Sequence, residues 1–130
     1  MFNLNTYQEI VYKKLKELEL ELDNEIKIYD KVTANAKFPF IILSDYQIQE
    51  GQTKDYNCFL LEQKLEIWSD YDGKKEVNDI LTKTFNKLGE LQGASLDDES
   101  GIDSISLMPS TVNEVEGFFN ANLNVQIEIY

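Results

Sequence analysis

The chain has 130 residues with 42% hydrophobic and 12% aromatic content, enough for one domain spanning residues 1–130 that buries about two-thirds of its unfolded surface. Its 12 basic residues are all lysine, against 24 acidic residues, for a net charge of −12, and histidine is absent. Those facts exclude a side chain whose unperturbed pKa lies near neutrality and a guanidinium fork for phosphate, and an excess of acid repels nucleic acid.

Thr6 and Glu9 have the spacing of a capping box, in which hydroxyl and carboxylate each satisfy an orphan backbone N–H. Behind them Tyr7, Val11, Leu15, Leu18 and Leu22 fall on one face of a helix running to about Leu20. Glu17–Asp23 alternates with period two and reads equally as a strand.

Ile26–Tyr29 alternates as a short half-buried strand, and Asp30–Lys37 connects it onward. Pro39 has no amide donor and belongs at a strand start or edge. Phe40–Ile48 is predicted as the second strand and Cys58–Ser69 as the third, joined by a polar, mobile hairpin loop over Gln49–Asn57. In the third strand Phe59, Leu61, Leu65 and Ile67 share one face, and Trp68, on the other parity, is expected to cover the sheet edge of the next helix, with an exposed interface anchor as the alternative.

Asp72 and Gly73 turn the chain into a helix whose arc is Val77, Ile80, Leu81, Thr84, Phe85 and Leu88, with Gly89 to end it. Asp98–Ser104 is too polar to pack and is expected as a surface loop. Ile105–Val115 reads as a strand, with a hairpin turn at Gly117. The last segment alternates strictly: Phe119, Ala121, Leu123, Val125, Ile127 and Ile129 face the core, while Phe118, Asn120, Asn122, Asn124, Gln126, Glu128 and Tyr130 face water. The fold expected is α+β, with a mainly antiparallel sheet of four to five strands, two helices packed on one face, and the order α-β-β-β-α-β-β.

No arrangement of residues points to catalysis, a cofactor or a metal. Asp70, Asp72 and Glu76 precede or open a helix, but the first position of a calcium loop would be Trp68. They read as helix N-terminal acids that complement the dipole. Asp97, Asp98, Glu99 and Asp103 read as a solvated acidic loop. The single cysteine, Cys58, sits beside Phe59, Leu60 and Leu61 and is expected to be a packed thiol in a reducing compartment. No apolar run approaches the roughly 20 residues that cross a bilayer, so no membrane association is expected.

Phe38-Pro39-Phe40 opening an apolar run, Trp68-Ser69 closing the next, and Tyr71 and Gly73 in an acidic turn before a helix form an ordered set. That set resembles the tail completion, or tail terminator, proteins of long-tailed bacteriophages and prophages. The resemblance implies a structural protein without enzymatic activity that forms a ring, caps the tail tube and joins tail to head. It implies self-association, and contacts with the major tail protein and head connector proteins. Its place would be the bacterial cytoplasm during assembly and the virion tail afterwards. It also marks Gln49, Glu50, Gly51, Gln52, Thr53, Lys54, Asp55 and Tyr56 as a candidate subunit-contact loop. Two alternatives stand beside it. One is an acidic inhibitor that mimics DNA in a basic protein cleft, which requires a continuous acidic stripe. The other is a head–tail connector subunit.

Overall fold

The computed structural model describes residues 3–22, 25–31, 35–50, 59–96, 100–109 and 112–130. Helix α1 (Leu4–Glu21) leads, followed by strands β1 (Lys27–Tyr29), β2 (Phe40–Glu50) and β3 (Phe59–Ser69). Helix α2 (Lys75–Gly89) comes next, then β4 (Ile102–Pro109), β5 (Asn113–Val115) and β6 (Phe118–Ile129). One sheet holds the six strands in the order β1-β2-β3-β6-β4, and β5 pairs with β6 in line with β4. Among the described strands only β1 with β2 is parallel. The expected α+β class and element order are those observed.

The core lies between the helices and one face of the sheet. Tyr7, Val11, Leu15 and Leu18 bring α1 into it, and Val77, Ile80 and Leu88 bring α2. Against them stand rows of sheet residues in register, Ile41–Ile67–Ala121 and Leu43–Leu65–Leu123, all buried. Burying each Leu or Ile side chain is worth about 1.5–3 kcal/mol, so these rows supply the drive that holds the helices to one face. The period-two stretch of α1 stays helical because Leu18 reaches the core and Leu22 half-buries, while Leu20 projects into solvent.

Several boundaries differ from expectation. The N-cap of α1 is Asn3, whose Oδ1 accepts the Asn5 N–H at 2.8 Å. Thr6 therefore lies within the helix and forms no capping box; half-buried Leu4 packs on the core and pulls the helix start back to it. The helix α2 ends at Gly89 as expected, yet the left-handed residue is Gly93 (φ 83°), which closes the turn that follows. Phe85 is 39% exposed, at the margin of the arc rather than in the core.

The predicted Ile105–Val115 strand is two strands, and the first starts earlier. Ile102 is fully buried and opens β4, although it sits in a polar stretch expected as loop. Beyond Pro109 the chain rejoins the same edge of β6 as β5, and Glu116 (φ 51°) and Gly117 (φ 87°) make the two-residue hairpin turn. Positive φ at both central positions is what a type I′ turn requires. Gln49 and Glu50 continue β2 opposite Leu60 and Phe59. Residues 51–58, which include Cys58 and the rest of the candidate contact loop, lie outside the described residues, as do Asp97, Asp98 and Glu99.

Candidate assembly surfaces

With both helices on one side, no described element covers the other side of the sheet, and it is where the motif residues meet. Phe40, Trp68 and Asn120 lie side by side across β2, β3 and β6. Trp68 is thus on the helix-free face and does not cover α2; the parity of β3 sends it opposite Ile67 and Ser69, which are buried beneath the helices. Around it an aromatic cluster forms. Phe38 stacks on Phe118 with ring centroids 4.7 Å apart and planes parallel to 1°, and Phe38 meets Phe40 at 5.0 Å. Tyr29 closes the cluster edge-on to Phe40 at 5.6 Å. Such offset and edge contacts add about 0.5–1.5 kcal/mol beyond burial. Pro39, just before β2, accepts the Lys27 N–H through its carbonyl at 3.1 Å and so starts the β1 pairing.

Ser69 explains the rest of the motif. Its buried hydroxyl donates to Glu76 Oε1 at 2.7 Å and accepts the Tyr71 N–H at 3.1 Å, tying the end of β3 to the first turn of α2. Gly73 (φ 130°) supplies the turn between them. Glu76 is the one acid in the first turn of α2, where it also complements the helix dipole. Asp70 and Asp72 point to solvent, and among the described residues no group of three or more potential ligands could hold a metal ion.

The centre of the open face is amide-rich. Glu62 accepts from Gln47 Nε2 at 2.9 Å and from Gln126 Nε2 at 3.0 Å. Asn120, expected to face water, is buried and donates to the Ile67 carbonyl at 3.2 Å, because the adjoining aromatic cluster shelters that end of the sheet. The remaining polar feature faces the helices. Between Leu43 and Tyr46 the β2–β3 register shifts, an extra residue that bends the strand. Gln63 fills that bulge from β3: its Nε2 donates to the Ser44 carbonyl at 2.8 Å, and its Oε1 accepts from Gln8 Nε2 at 3.4 Å.

Hollows mark the surface among the described residues. One of about 320 Å³ sits by the bulge beside Tyr46, Lys64 and Met108. Another of about 260 Å³ lies between Leu22, Pro39 and the start of α2. The third, about 620 Å³, runs along the free side of β2 beneath α1, bordered by Gln8, Tyr12, Ile28, Leu43 and Tyr46. None brings a nucleophile to a base. The acids of α1 are interleaved with cations: Lys16 reaches buried Glu19 at 2.8 Å, and Lys14 reaches Glu17 at 3.4 Å. Lys87, 9% exposed, is hydrogen-bonded to Glu21 and lies 3.6 and 3.8 Å from Glu17 and Glu90. The Glu21 hydrogen bond raises the Lys87 pKa above its ordinary value against partial desolvation. No motif in the sequence singled out Lys87, since a lysine in the last turn of a helix reads as solvated.

No protein-family model and no curated protein matches the chain. Among solved structures, it is similar to a chain described as "Virion of native gene transfer agent (GTA) particle", with a TM-score of 0.71 and 14% identity, over 92% of this chain and 90% of that one. The two share a fold. The likeness takes in both helices and the sheet together, since a match to nine-tenths of each chain leaves little of either outside it. No helix among the described residues is long and apolar enough to cross a membrane.

Proposed function

We propose that the chain is a phage-derived virion structural protein, without enzymatic activity, that forms a ring at the end of a tail tube and joins tail to head. The observation that carries this reading is the fold shared with a virion chain of nearly the same extent, covering 92% of one and 90% of the other. The ordered motif from Phe38 to Gly73 supports it, since those residues build the open sheet face and its link to α2. Its partners are then further copies of itself, the major tail protein and head connector proteins, met in the bacterial cytoplasm during assembly. The DNA-mimic alternative needs an unbroken acidic stripe, and Lys14, Lys16, Lys27 and Lys87 sit among the carboxylates of α1 instead.

Subunits of −12 charge repel one another around an axis, and salt weakens that repulsion. The isolated chain is therefore expected to be mainly monomeric and to close into a ring where a tube tip gathers several copies. Light scattering across concentration and salt, followed by electron microscopy with and without tail tubes, tests this. Rings on tube ends are the expected result; a fixed compact dimer under all conditions, with no ring on tubes, would overturn it.

A further inference from the structure

A ring needs a head-to-tail contact, in which one patch of a subunit meets a different patch of the next. The sheet offers two such patches at its margins. Among the described residues, β4 on one side pairs only with β6, and on the other β1 covers β2 only from Phe40 to Ile42. The long strands β2, β3, β6 and β4 alternate in direction, so the two free edges run in opposite senses. A second copy brought alongside in the same orientation therefore presents its β4 antiparallel to the free edge of β2.

Backbone parity fixes which groups are open. Gly101 and Tyr130 exchange both N–H···O bonds, at 3.1 and 3.4 Å, and Ile102 turns the other way, to Ala94 at 2.8 Å and Gly93 at 2.9 Å. Past the irregularity at Ile102/Ser104, alternation leaves Ile105 and Leu107 with N–H and C=O directed off the sheet. Alternation along β2 past its bulge does the same for Tyr46 and Ile48. Natural edges are commonly guarded by charge, above all lysine, yet neither Tyr46–Gln49 nor Ser104–Pro109 contains a charged residue in a chain where 28% are charged.

We infer that copies of this chain join edge to edge, β4 of one adding antiparallel to Tyr46–Ile48 of the next, with Ile105 opposite Ile48 and Leu107 opposite Tyr46. All four side chains are on the helix side of the sheet, where the 620 Å³ hollow beneath α1 lies beside Tyr46. The added strand lowers Ile105 and Leu107 toward that hollow and covers Tyr46, which is 46% exposed in the single subunit. On the open face the same register sets Ser106 opposite Gln47, an uncharged pair. Strand addition gives affinity through main-chain bonds and specificity through alternate side chains. So short a seam is smaller than the roughly 800 Å² per partner of a stable interface, which agrees with a chain that stays monomeric until a tube end collects it. The inference rests on the ring reading above and supplies its seam.

The test is a disulfide across that seam. Ser106 and Gln47 would form a non-hydrogen-bonded cross-strand pair with Cα atoms about 4.5 Å apart, within disulfide reach. Ser106→Cys and Gln47→Cys are combined in one chain carrying Cys58→Ser, so that no native thiol competes, and thermal melting confirms that the parent fold is kept. Under mild oxidation on tail tubes, a ladder of covalent multimers is expected on non-reducing gels, lost with reductant. A control pairing Ser106→Cys with Asp79→Cys on α2 should give none. Adding Met108→Asp sets a carboxylate opposite Asp45 in the same register, a like-charge cross-strand pair that should abolish the ladder. Rings on tubes without a ladder would overturn the seam and leave the ring reading standing. A ladder in concentrated solution with no ring on tubes would support the seam and overturn the tail-end reading. Absence of both overturns both.

Discussion

Gln63→Met tests whether a buried amide, rather than solvent, satisfies the backbone at the β2 bulge. Gln63 is 2% exposed and donates to the Ser44 carbonyl at 2.8 Å, with longer approaches to the carbonyls of Lys64 at 3.3 Å and Asp45 at 3.4 Å. Methionine has nearly the same length and volume, so no cavity of note forms. What is lost is about 1 kcal/mol of net hydrogen bonding, plus about 1–3 kcal/mol for leaving a buried carbonyl unpaired. Only one of the three approaches is short and Ser44 is half-buried, which places the loss at about 2–3 kcal/mol. At roughly 4 °C per kcal/mol for a domain of this size, the melting midpoint falls by about 8–12 °C. Urea unfolding followed by circular dichroism should show a lower midpoint with an unchanged slope. Gln47→Met, exposed and bonded to Glu62 at 2.9 Å, serves as the control and should stay within about 0.5 kcal/mol of the parent. Since the bulge sets the register of Tyr46 and Ile48, the Gln63 variant should also lose cross-linking between Ser106→Cys and Gln47→Cys. A Gln63→Met protein as stable as its parent would refute the reasoning, because the carbonyls would then be served by water.

Tyr7 is fully buried, and its hydroxyl has no hydrogen-bond partner among the described residues. Tyr7→Phe should raise stability by about 1 kcal/mol by removing an unpaid desolvation; a comparable loss in urea unfolding would instead reveal a partner for the hydroxyl. Burial pushes the Tyr7 ionisation well above its ordinary value, so its contribution is intact below a pH of about 10 and is lost as pH rises past it; the variant should decline less steeply there. Lys87 has the same sign, because the Glu21 hydrogen bond raises its pKa: its contribution is complete below about pH 10.4, the unfolded value, and falls as pH climbs through the folded one. Lys87→Met should lower the urea midpoint at neutral pH and low salt and flatten the alkaline decline; equal midpoints for variant and parent at low salt would show that the pairing of Lys87 on α2 with Glu21 on α1 adds nothing to stability.

The parts of the fold legible in the chain are those governed by local periodicity. The arc of Val77, Ile80 and Leu88 and the alternation from Phe119 to Ile129 each repeat often enough to specify both the element and its buried face. The Asp72-Gly73 and Gly117 turns are legible for a related reason, since the backbone there needs positive φ and glycine accepts it. Where two residues compete locally, distant packing decides. Asn3 caps α1 in place of Thr6 because Leu4 finds the core, and Ile102 draws a polar stretch into β4 because its single apolar side chain is fully buried. Trp68 and Asn120 show the same limit from another side: their parity is readable, but that Phe38, Phe40 and Phe118 gather on the helix-free face beside them is not. The sequence by itself therefore determined the class, the element order and the absence of histidine and arginine chemistry. Only the tertiary structure decided which strands stand at the edges, in what sense they run, and that Gln63 and Lys87 are internal, because those are relations between segments far apart in the chain and no local pattern encodes them.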